Sequence, residues 1–480
     1  MTAAGRWRSI PHLVQDAAGR FGDAEAVVDG RLRLTFTELA DRVRRTAGAF
    51  AAQGVGPGDR VALWAPNSAE WIVAAFGLLT AGGVLVPVNT RFLQAEAHDI
   101  VVRSGAKALL VQNGFLDREF TGPPGLPVID LREDGFLASG PPLWREAGPD
   151  DLADIVFTSG TTGRPKGVMT THGQTLRLYA QWCDLAGLRQ GDRYLMVNPF
   201  FHIFGYKAGL VASLIRGATA LPLAVFDVDR VLELVERERV TVLPGPPTLY
   251  HSLLAADRAR DLSSLRVAVT GAADIPVELV RRITTELPFT HLMTGYGLTE
   301  AGTVTASRPG DPYEAVATTV GRPCEGFEVR LADDREVLVR GYAVMRGYLD
   351  DPEATAEAVD ADGWLRTGDL GELDDEGRLR IVGRKKDMFV VGGFNAYPAE
   401  IEGFLLNHPA VAQVAVVGVP DARMGQVGKA FVVRRGEVTE SDLIAWAGEH
   451  MAGFKVPRHV EFRTGLPLTA TGKVLKDRLR

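Results

Sequence analysis

The sequence predicts an α/β protein of at least two domains, with a large amino-terminal domain built on parallel sheets. Length is the first reason, because 480 residues exceed the roughly 250 to 300 residues at which a single hydrophobic core stops growing. The second reason is the alternation of amphipathic stretches with short apolar runs such as RVALWAP, GVLVPV and LRVAVTG. Such alternation is typical of parallel strands whose two faces are covered by helices.

Several elements of this first domain can be placed individually. The stretch from Phe36 to Gln53 has an amphipathic helical period, and the uncharged stretch from Trp71 to Thr90 is broken by glycines and a proline. The latter therefore predicts a buried helix followed by the strand VLVPV, and not a membrane span. The strand VTVLPG ends in prolines before TLYHSLLAA resumes a helical period, which predicts a second strand–helix unit.

Beyond Phe327 the sequence pattern changes to antiparallel structure. Charged segments such as EVRLADDREVLVRG are typical of short strands joined by turns, which predict a small β-barrel or sheet attached to the first domain. From about Lys386 onward, three strands and two helices follow as a self-contained pattern. We therefore expect a large N-terminal domain of several subdomains over residues 1–385 and a small C-terminal α+β lid domain over residues 386–480.

Composition and charge exclude several functional classes. The chain is 46% hydrophobic and 24% charged, the balance of a globular protein and not of a disordered or collagen-like one. Its net charge of −7 comes with interleaved acidic and basic residues, which provide no positive field for nucleic-acid phosphates. Cys183 and Cys324 lie far apart and outside any metal-ligand spacing, and the amino terminus lacks the apolar core of a signal peptide. We expect a cytoplasmic protein with no nucleic-acid or membrane partner.

The most informative segment is DIVFTSGTTGRPKGVMTTH, from Asp154 to His172. After a strand-like start it combines hydroxyls, glycines and cations in one turn: Thr158, Ser159, Gly160, Thr161, Thr162, Gly163, Arg164, Lys166 and Gly167. Glycines let backbone N–H groups curl around an oxyanion, and the two cations add charge there, so the segment predicts polyphosphate binding. A Walker A loop is disfavoured because Lys166 is followed by glycine and not by Ser or Thr. The alternative is a flexible surface linker, but linkers seldom combine a preceding apolar strand with two embedded cations.

Four further motifs accompany this loop. They are TGYGLTEAG (Thr294 to Gly302), GWLRTGDLG (Gly363 to Gly371), GRKKDMFVVGGFNAYPAEIE (Gly383 to Glu402) and PLTATGKVLKDRLR (Pro467 to Arg480). The five motifs together span nearly the whole chain and resemble the adenylate-forming superfamily, which includes acyl-CoA synthetases, firefly luciferase and adenylation domains. Within it, NPFFHIFGYKAG and VLPGPPTLYHSLL are most similar to bacterial fatty-acid-type acyl-CoA ligases of sterol catabolism, which activate a propionate side chain on a fused-ring remnant.

The resemblance implies a reaction and its co-substrates. A carboxylic acid would react with ATP and Mg²⁺ to give acyl-AMP and pyrophosphate, and the acyl group would then pass to coenzyme A with release of AMP. By resemblance Tyr296 stacks on adenine, Thr299 touches the α-phosphate and Glu300 coordinates Mg²⁺. The last assignment also has a physical basis, since Mg²⁺ prefers oxygen ligands and takes only one or two carboxylates beside phosphate oxygens. Without the phosphate loop, this short motif would more often be a plain turn.

Other nucleotide contacts are implied in the same way. Asp369 and Arg384 correspond to the pair that binds the ribose, although Asp and Arg most often form ordinary surface ion pairs. The segment Gly271, Ala272 and Ala273 resembles the one that borders the adenine edge, and its alternative interpretation is the tightly packed start of a helix.

The resemblance also implies a mobile lid. Lys473 corresponds to the lysine that orients the substrate carboxylate and balances charge on the α-phosphate, a role whose removal typically costs on the order of 10² to 10³ in rate. A catalytic lysine on a small domain implies motion, for which Lys386 is the expected hinge. In the second position of the lid, Gly392 and Gly393 would let a pantetheine arm pass. Otherwise Lys473 and Lys386 would be ordinary surface lysines.

The acid pocket is expected around the segment NPFFHIFGYKAG. His202 corresponds to a position that borders the carboxylate and the thiol tunnel, but a lone histidine among phenylalanines is equally a packed core residue. Phe204, Tyr206, Lys207 and Gly295 are expected to line the pocket with it. A buried lysine is costly without a polar partner, so Lys207 favours a polar or ring-bearing acid over a long alkyl chain.

Several alternatives remain open at the level of sequence. Relatives usually have proline after Gly341, where this chain has Tyr342, which affects the local loop and not the catalytic residues. Some relatives keep every nucleotide motif yet activate nitrite and diazotise an aromatic amine, and others use an amine acceptor. A non-catalytic binding relative is disfavoured because Lys473 and Glu300 are both present. The oligomeric state is open between a monomer and a homodimer.

Overall fold

A computed structural model of the chain describes residues 6–133, 135–158, 164–256, 260–271, 277–392, 394–469 and 474–479. The helices in these ranges are α1 (Ile10–Phe21), α2 (Phe36–Ala52), α3 (Ala69–Thr80), α4 (Gln94–Arg103), α5 (His172–Leu185), α6 (Ala212–Arg216), α7 (Val228–Glu238), α8 (Pro247–Ala255), α9 (Val277–Glu286), α10 (Tyr313–Thr318), α11 (Pro352–Ala358), α12 (Pro398–Leu405) and α13 (Glu440–His450). A π-helix, Phe204–Val211, runs directly into α6.

The strands complete the set of elements. They are β1 (Glu25–Asp29), β2 (Leu32–Thr35), β3 (Arg60–Trp64), β4 (Val84–Pro87), β5 (Ala108–Val111), β6 (Val128–Asp130), β7 (Leu152–Thr158), β8 (Lys166–Thr171), β9 (Arg193–Met196), β10 (Thr219–Pro222), β11 (Val242–Pro244), β12 (Val267–Gly271), β13 (His291–Leu298), β14 (Gly302–Ala306), β15 (Arg322–Pro323), β16 (Phe327–Leu331), β17 (Glu336–Gly341), β18 (Gly347–Tyr348), β19 (Leu365–Leu373), β20 (Leu379–Arg384), β21 (Phe389–Val391), β22 (Phe394–Ala396), β23 (Val411–Asp421), β24 (Gly425–Arg434) and β25 (His459–Arg463).

The largest sheet within the described ranges has nine strands, in the order β15-β14-β13-β12-β11-β9-β10-β1-β2. The six strands from β13 to β1 in that order pair in parallel, and β2, β14 and β15 are antiparallel additions at the two edges. The interior strands are short and almost wholly buried, as a parallel sheet covered on both faces requires.

The second sheet has seven strands in the described part of the chain, in the order β18-β8-β7-β4-β3-β5-β6. Its strands from β7 to β6 are parallel, whereas β8 and β18 are antiparallel at one edge. Helix α3 is buried on nearly every face, because its sequence is apolar all round. Thr171 begins α5 with a capping box, in which its hydroxyl accepts from the N–H of Gln174.

Two antiparallel sheets follow. Strands β16, β17, β19 and β20 form an open sheet in the described residues, so the predicted small barrel or sheet is realised as a sheet. The last sheet has the order β22-β21-β24-β23, with β25 parallel to β24. Helices α12 and α13 pack on it around a separate apolar core that includes Phe389, Ile401, Val416 and Leu443.

The predicted α/β class with parallel sheets is confirmed. The predicted helix between Phe36 and Gln53, the helix-then-strand interpretation of Trp71 to Thr90 and the second strand–helix unit correspond to α2, to α3 with β4, and to β11 with α8. None of the helices in the described ranges combines the length and apolarity that crossing a bilayer requires. The domain boundary at Lys386 falls between β20 and β21 and stays a prediction.

Candidate active site

Three antiparallel hairpins carry the residues that the sequence predicts for nucleotide binding. The first joins β7 to β8, and Thr158 pairs with Lys166 across the two strands. The connecting residues that the sequence predicts to cradle phosphates lie outside the described ranges: Ser159, Gly160, Thr161, Thr162 and Gly163. A strand and not a helix follows Lys166, which distinguishes this loop from a Walker A loop.

The end of the phosphate loop is anchored to helix α4. The guanidinium of Arg164 pairs with the carboxylate of Asp99 at 2.6 Å and is largely exposed. Arg103, one turn further along α4, donates to the carbonyl oxygen of Pro165 at 2.7 Å. The sequence predicts that Arg164 and Lys166 both bring positive charge to the loop, and in the structure Arg164 is paired with Asp99.

The second hairpin joins β13 to β14, and Thr299 and Glu300 lie in its turn. The two strands approach so closely that a Cβ atom on Gly297 would lie 2.4 Å from the carbonyl oxygen of Gly302. Gly302 itself has a φ of 67°, a left-handed conformation that favours glycine. The glycines of TGYGLTEAG therefore determine the geometry of the turn that presents the two catalytic candidates.

Gly271 and Gly295 lie side by side in the same sheet. They are register partners in β12 and β13, and a Cβ atom on Gly271 would lie 2.9 Å from the carbonyl oxygen of Gly295. The segment predicted to border adenine therefore begins directly beside the predicted acid-pocket glycine. Ala272 and Ala273 lie outside the described residues.

Tyr348 connects the first two hairpins. It lies in β18, where it pairs with Val168 of β8. Its hydroxyl donates to Oε1 of Glu300 at 3.1 Å, and the Nζ atom of Lys166 lies 5.1 Å from the centre of its ring, which is a cation–π distance. One side chain thus contacts both the carboxylate predicted to bind Mg²⁺ and the lysine predicted to contact phosphate.

The surroundings of Glu300 fit a bound divalent cation. Burial raises the pKa of its carboxyl group, and the hydrogen bond from Tyr348 acts in the opposite direction. In the ranges that the structure covers, no three His, Cys, Asp or Glu side chains come together as a metal cage. A single, partly buried carboxylate suits Mg²⁺, which commonly takes its remaining ligands from phosphate oxygens and water.

The third hairpin joins β19 to β20 and carries the pair predicted for the ribose. Asp369 and Arg384 are register partners, and Nε of Arg384 lies 2.9 Å from Oδ1 of Asp369. The second carboxylate oxygen accepts a hydrogen bond from the hydroxyl of Tyr296 at 2.7 Å. Burial and the charge of Asp369 raise the pKa of Tyr296 well above its usual value. Tyr296 belongs to β13, so this hydrogen bond joins the second hairpin to the third.

The predicted acid pocket begins at His202 and continues into the π-helix. Nδ1 of His202 accepts the N–H of Phe204 at 3.2 Å, which orients the imidazole at the start of that helix. The ring of Phe204 lies 6.2 Å from that of Trp182. Tyr206 is fully buried and packs against Trp71 at 5.9 Å between ring centroids. Its place in the acid pocket stays a prediction.

Lys207 is buried and has polar partners within the protein. Its Nζ atom lies 2.9 Å from Oδ1 of Asp154 in β7 and donates to the hydroxyl of Thr170 in β8 at 2.6 Å. The side chain also borders a small cavity of about 10 Å³ that reaches Thr299. A buried lysine requires a polar partner, and for Lys207 this partner is Asp154 in β7, the strand that leads into the phosphate loop.

The residue before the predicted hinge is fastened to the third sheet. Nζ of Lys385 lies 2.6 Å from a carboxylate oxygen of Asp334 and 3.2 Å from one of Glu336. Lys386 lies in the turn that follows. Gly392 has a φ of 56°, and its N–H donates to the carbonyl oxygen of Met424 at 2.9 Å. Gly393 and Lys473 lie outside the described residues.

Tyr348 and Asp154 are site residues to which the sequence patterns assigned no role. Tyr348 follows the hairpin segment VLVRGYAVMRG, and nothing in its local pattern points to Glu300, 48 positions earlier. Asp154 had a visible signal, because a carboxylate stands inside the otherwise apolar strand LADIVF. A charged residue in such a strand requires a buried partner, which proved to be Lys207.

Comparison with known proteins identifies the family of the chain. The family model for AMP-binding enzymes matches residues 14–349, and the model for the AMP-binding enzyme C-terminal domain matches residues 400–473. Relatives from Rhodococcus jostii (strain RHA1) and Mycobacterium tuberculosis (strain ATCC 25618 / H37Rv) are each 48% identical over 98% of both chains. Each is named "3-[(3aS,4S,7aS)-7a-methyl-1,5-dioxo-octahydro-1H-inden-4-yl]propanoyl:CoA ligase".

A solved structure that contains ATP and magnesium is also similar to this chain. The O-succinylbenzoate coenzyme A synthetase from Bacillus subtilis, in complex with ATP and magnesium ion, aligns with a TM-score of 0.86 at 30% identity, over 97% of this chain and 98% of that one. The two family models and the relatives identify the chain as an adenylate-forming enzyme. The chain belongs to the AMP-binding enzyme family.

The protein is an ATP-dependent acid–CoA ligase that forms acyl-AMP with Mg²⁺ and transfers the acyl group to coenzyme A. The predicted resemblance to bacterial ligases of sterol catabolism is confirmed by the two relatives that are 48% identical. The alternative of nitrite activation with diazotisation has no support from these relatives.

Proposed function

We propose that this ligase activates a propanoate carried by a bicyclic, ketone-bearing ring system, of the kind left by partial breakdown of a sterol. The observation that carries the proposal is the 48% identity over 98% of both chains with two ligases named for such an acid. The buried ion pair of Lys207 and Asp154 supports polar ring substituents, since a pocket for a long alkyl chain gains nothing from buried charges.

In the first half-reaction, a carboxylate oxygen of the acid forms a bond to the α-phosphorus of ATP, and the bond to pyrophosphate breaks. Lys166 neutralises charge on the departing phosphates, and Thr158 and the connecting loop residues bind their oxygens. Glu300 binds Mg²⁺, which neutralises phosphate charge when bound. Thr299, the neighbour of Glu300, donates to an oxygen of the α-phosphate.

The nucleoside is bound by the other two hairpins. Asp369 accepts from both ribose hydroxyls, and Arg384, already 2.9 Å from that carboxylate, reaches the same sugar. Tyr296 stacks on adenine and is oriented by its hydrogen bond to Asp369. Gly271, with Ala272 and Ala273 after it, borders the adenine edge, where the absence of bulky side chains leaves room for a base.

The lid first supplies the catalytic lysine for adenylation and then, after turning, the path for pantetheine. Lys473 orients the substrate carboxylate and stabilises charge on the α-phosphate during adenylation. The lid, residues 386–480, then turns about Lys386 so that Gly392 and Gly393 line the path of pantetheine. The thiolate sulfur of coenzyme A bonds to the acyl carbon, the bond to AMP breaks, and AMP leaves. His202 borders the reacting carbonyl in both steps.

The proposal extends to location and assembly. Cys183 and Cys324 are both buried free thiols, which is compatible with the reducing cytoplasm proposed for this enzyme. Every residue named above belongs to one chain. The proposed chemistry is therefore compatible with either a monomer or a homodimer.

The test is a substrate panel with the purified full-length protein, ATP, Mg²⁺ and coenzyme A. The panel contains the bicyclic dioxo propanoate, a long-chain fatty acid, an aromatic carboxylic acid, and nitrite with an aromatic amine. Pyrophosphate release and the mass of the CoA thioester are measured. We expect kcat/KM for the bicyclic acid to exceed that for the other acids by about 10² or more. A higher kcat/KM with the long-chain acid would overturn the substrate class.

A further inference from the structure

A small buried cluster of charged and polar groups lies next to the catalytic turn. Lys207 of the π-helix, Asp154 of β7 and Thr170 of β8 form a closed triangle: Nζ of Lys207 to Oδ1 of Asp154 is 2.9 Å, Nζ to Oγ1 of Thr170 is 2.6 Å, and Oγ1 to Oδ1 is 2.5 Å. The side chains of Lys207 and Asp154 are 5% and 0% exposed. Both charges are therefore removed from water.

Stability alone does not explain this cluster. Replacing a buried ion pair by apolar residues of similar volume is often neutral or stabilising, because desolvation of both charges offsets their attraction. The elements involved are also joined without it, since β7 and β8 share a continuous antiparallel ladder. A lysine held in such a buried pair is a candidate for binding a polar group of the substrate.

The cluster has unused hydrogen-bonding capacity. A lysine ammonium group has three donors, and two of those on Lys207 are accounted for by Asp154 and Thr170. Oγ1 of Thr175, one turn into α5, is buried and has no hydrogen-bond partner within the described residues. Oδ2 of Asp154 is likewise buried without a partner among the described residues. Buried polar atoms normally have partners, so the third donor of Lys207, the hydroxyl of Thr175 and this carboxylate oxygen are the groups of the cluster with capacity for a further polar atom.

These two groups border the same cavity as the catalytic turn. The cavity has a volume of about 10 Å³, room for one water-sized group such as a carbonyl oxygen, and it is lined by the polar side chains of Lys207 and Thr175, by the apolar side chains of Leu178 and Ile203, and by Thr299 of the predicted adenylation site. The neighbouring amide of Gln174 is occupied, because its Nε2 atom donates to the carbonyl oxygens of Tyr342 and Val344. Lys207 is therefore the charged donor of this cavity.

We propose that Lys207, positioned by Asp154 and Thr170, donates a hydrogen bond to a ketone oxygen of the acid, remote from the reacting carboxylate. This inference rests on the proposed function, because it requires a ketone-bearing acid. A site that hydrogen-bonds a substrate group rejects an analogue without that group, since its own polar atoms are then buried without a partner. Lys207 is thus a specificity residue that selects keto acids over their deoxo analogues.

The experiment compares the bicyclic keto acid with the analogue in which the ring ketone is a methylene group. Wild-type protein is expected to prefer the keto acid by roughly 10- to 100-fold in kcat/KM, the effect of one hydrogen bond to a charged donor. In the double variant Asp154→Asn, Lys207→Met, which leaves neither charge unpaired, the preference should disappear through a higher KM for the keto acid. The KM for ATP should not change.

A matched control separates specificity from stability. Arg266 and Asp192 form another largely buried pair, at 2.5 Å, and the double variant Asp192→Asn, Arg266→Met removes two charges in the same way. It should keep the wild-type preference for the keto acid even where its melting temperature falls.

Each outcome has a distinct meaning. If wild-type protein turns over neither bicyclic acid, the proposed function is wrong. If it uses both acids equally well, or if the Asp154/Lys207 variant keeps the preference, the function stands and the role of Lys207 is overturned. If that variant does not fold, the role of Lys207 is tested by infrared spectroscopy of wild-type protein with the keto acid labelled with ¹³C at its ketone. A ketone carbonyl frequency lowered by hydrogen bonding supports the proposal, and the frequency of the free ketone overturns it.

Discussion

At the scale of single residues, Tyr348 joins two residues of the predicted phosphate site. Its hydroxyl donates to Glu300 at 3.1 Å, and its ring faces the ammonium group of Lys166 at 5.1 Å. A carboxylate that binds a metal is held in place by its hydrogen-bond partners, and such partners affect both affinity and activity. Tyr348 is therefore expected to act through Glu300 and Lys166 as a positioning residue.

The substitution Tyr348→Phe tests this role. Loss of a hydrogen bond to a carboxylate should cost about 1 to 2 kcal/mol, or roughly 5- to 30-fold in the rate of adenylation. We expect the concentration of Mg²⁺ needed for half-maximal pyrophosphate release to rise, while the KM for the acid stays constant. Tyr342→Phe is the matched control, because the hydroxyl of Tyr342 has no partner among the described residues. An unchanged Mg²⁺ dependence in Tyr348→Phe would contradict the role.

The sequence predicts which kinds of side chain the site contains. It does not predict which of those side chains form hydrogen bonds or ion pairs with one another. The motif around Tyr296 and Glu300 specifies a turn with an aromatic ring and a carboxylate, and together with the phosphate loop and the family resemblance it predicts adenine and metal contacts. The hydrogen bond from Tyr296 to Asp369 spans 73 positions and depends on how two sheets pack. The neutralisation of Arg164 by Asp99 depends in the same way on where α4 lies.

At the scale of elements, the recurring unit of the site is the antiparallel hairpin. Parallel strands provide the interior of the two large sheets, and antiparallel strands at their edges carry the loop after Thr158 and the turn at Glu300. A hairpin turn presents consecutive residues at one sheet edge without a long connection. The residues predicted to bind the nucleotide can therefore come from three distant segments of the chain and still lie close together.

The substitution Gly297→Ala tests the β13–β14 hairpin. A Cβ atom there would lie 2.4 Å from the carbonyl oxygen of Gly302, so the strands must separate and displace Thr299 and Glu300. Because a displacement of about 1 Å can cost 10²-fold in rate, we expect adenylation to fall by about 10² or more, with a loss of about 1 to 3 kcal/mol in stability. Pyrophosphate exchange and thermal melting measure the two effects.

The control for that variant is Gly19→Ala in α1, where a Cβ atom meets nothing within 4 Å. It should keep full activity and gain up to about 1 kcal/mol in stability, since alanine is the better helix former. Full adenylation activity in Gly297→Ala would show that the hairpin turn does not position Thr299 and Glu300.

At the scale of the whole molecule, the described residues form more than one apolar core. The last sheet has its own apolar cluster around Phe389 and Val416, whereas Lys385 is fastened to Asp334 and Glu336 of the preceding sheet. The predicted hinge at Lys386 thus follows directly after an anchored residue. Hinges are commonly a few residues of this kind, at the ends of elements.

Two substitutions in the predicted lid, at Lys473 and at the hinge Lys386, should each affect a different half-reaction. Lys473→Ala should lower formation of acyl-AMP by about 10² to 10³ and largely spare thioester formation from supplied acyl-AMP. Lys386→Pro should retain adenylation and lower thioester formation, because proline limits φ to about −65° and so restricts the turn of the lid. Pyrophosphate exchange and single-turnover thioester assays measure the two steps. Equal losses in both steps for both variants would contradict a lid that alternates between two positions.

The sequence by itself determined the fold class, the main elements and the chemical class of the enzyme. Apolar alternation is a local property, and it places α2, α3 and β4 correctly because burial of each element follows from its own residues. The Gly, Thr and Lys pattern of the phosphate loop is equally local, since backbone N–H groups and a nearby cation suffice to bind an oxyanion.

Only the tertiary structure decided which side chains meet. Asp154 and Lys207 are 53 positions apart in the numbering of the sequence, and they pair because the π-helix packs beside the β7–β8 hairpin. Tyr348 reaches Glu300 because β18 adds to the edge of the second sheet. Sheet order and packing are cooperative properties of many residues, whereas a motif records only the residues next to one another along the chain.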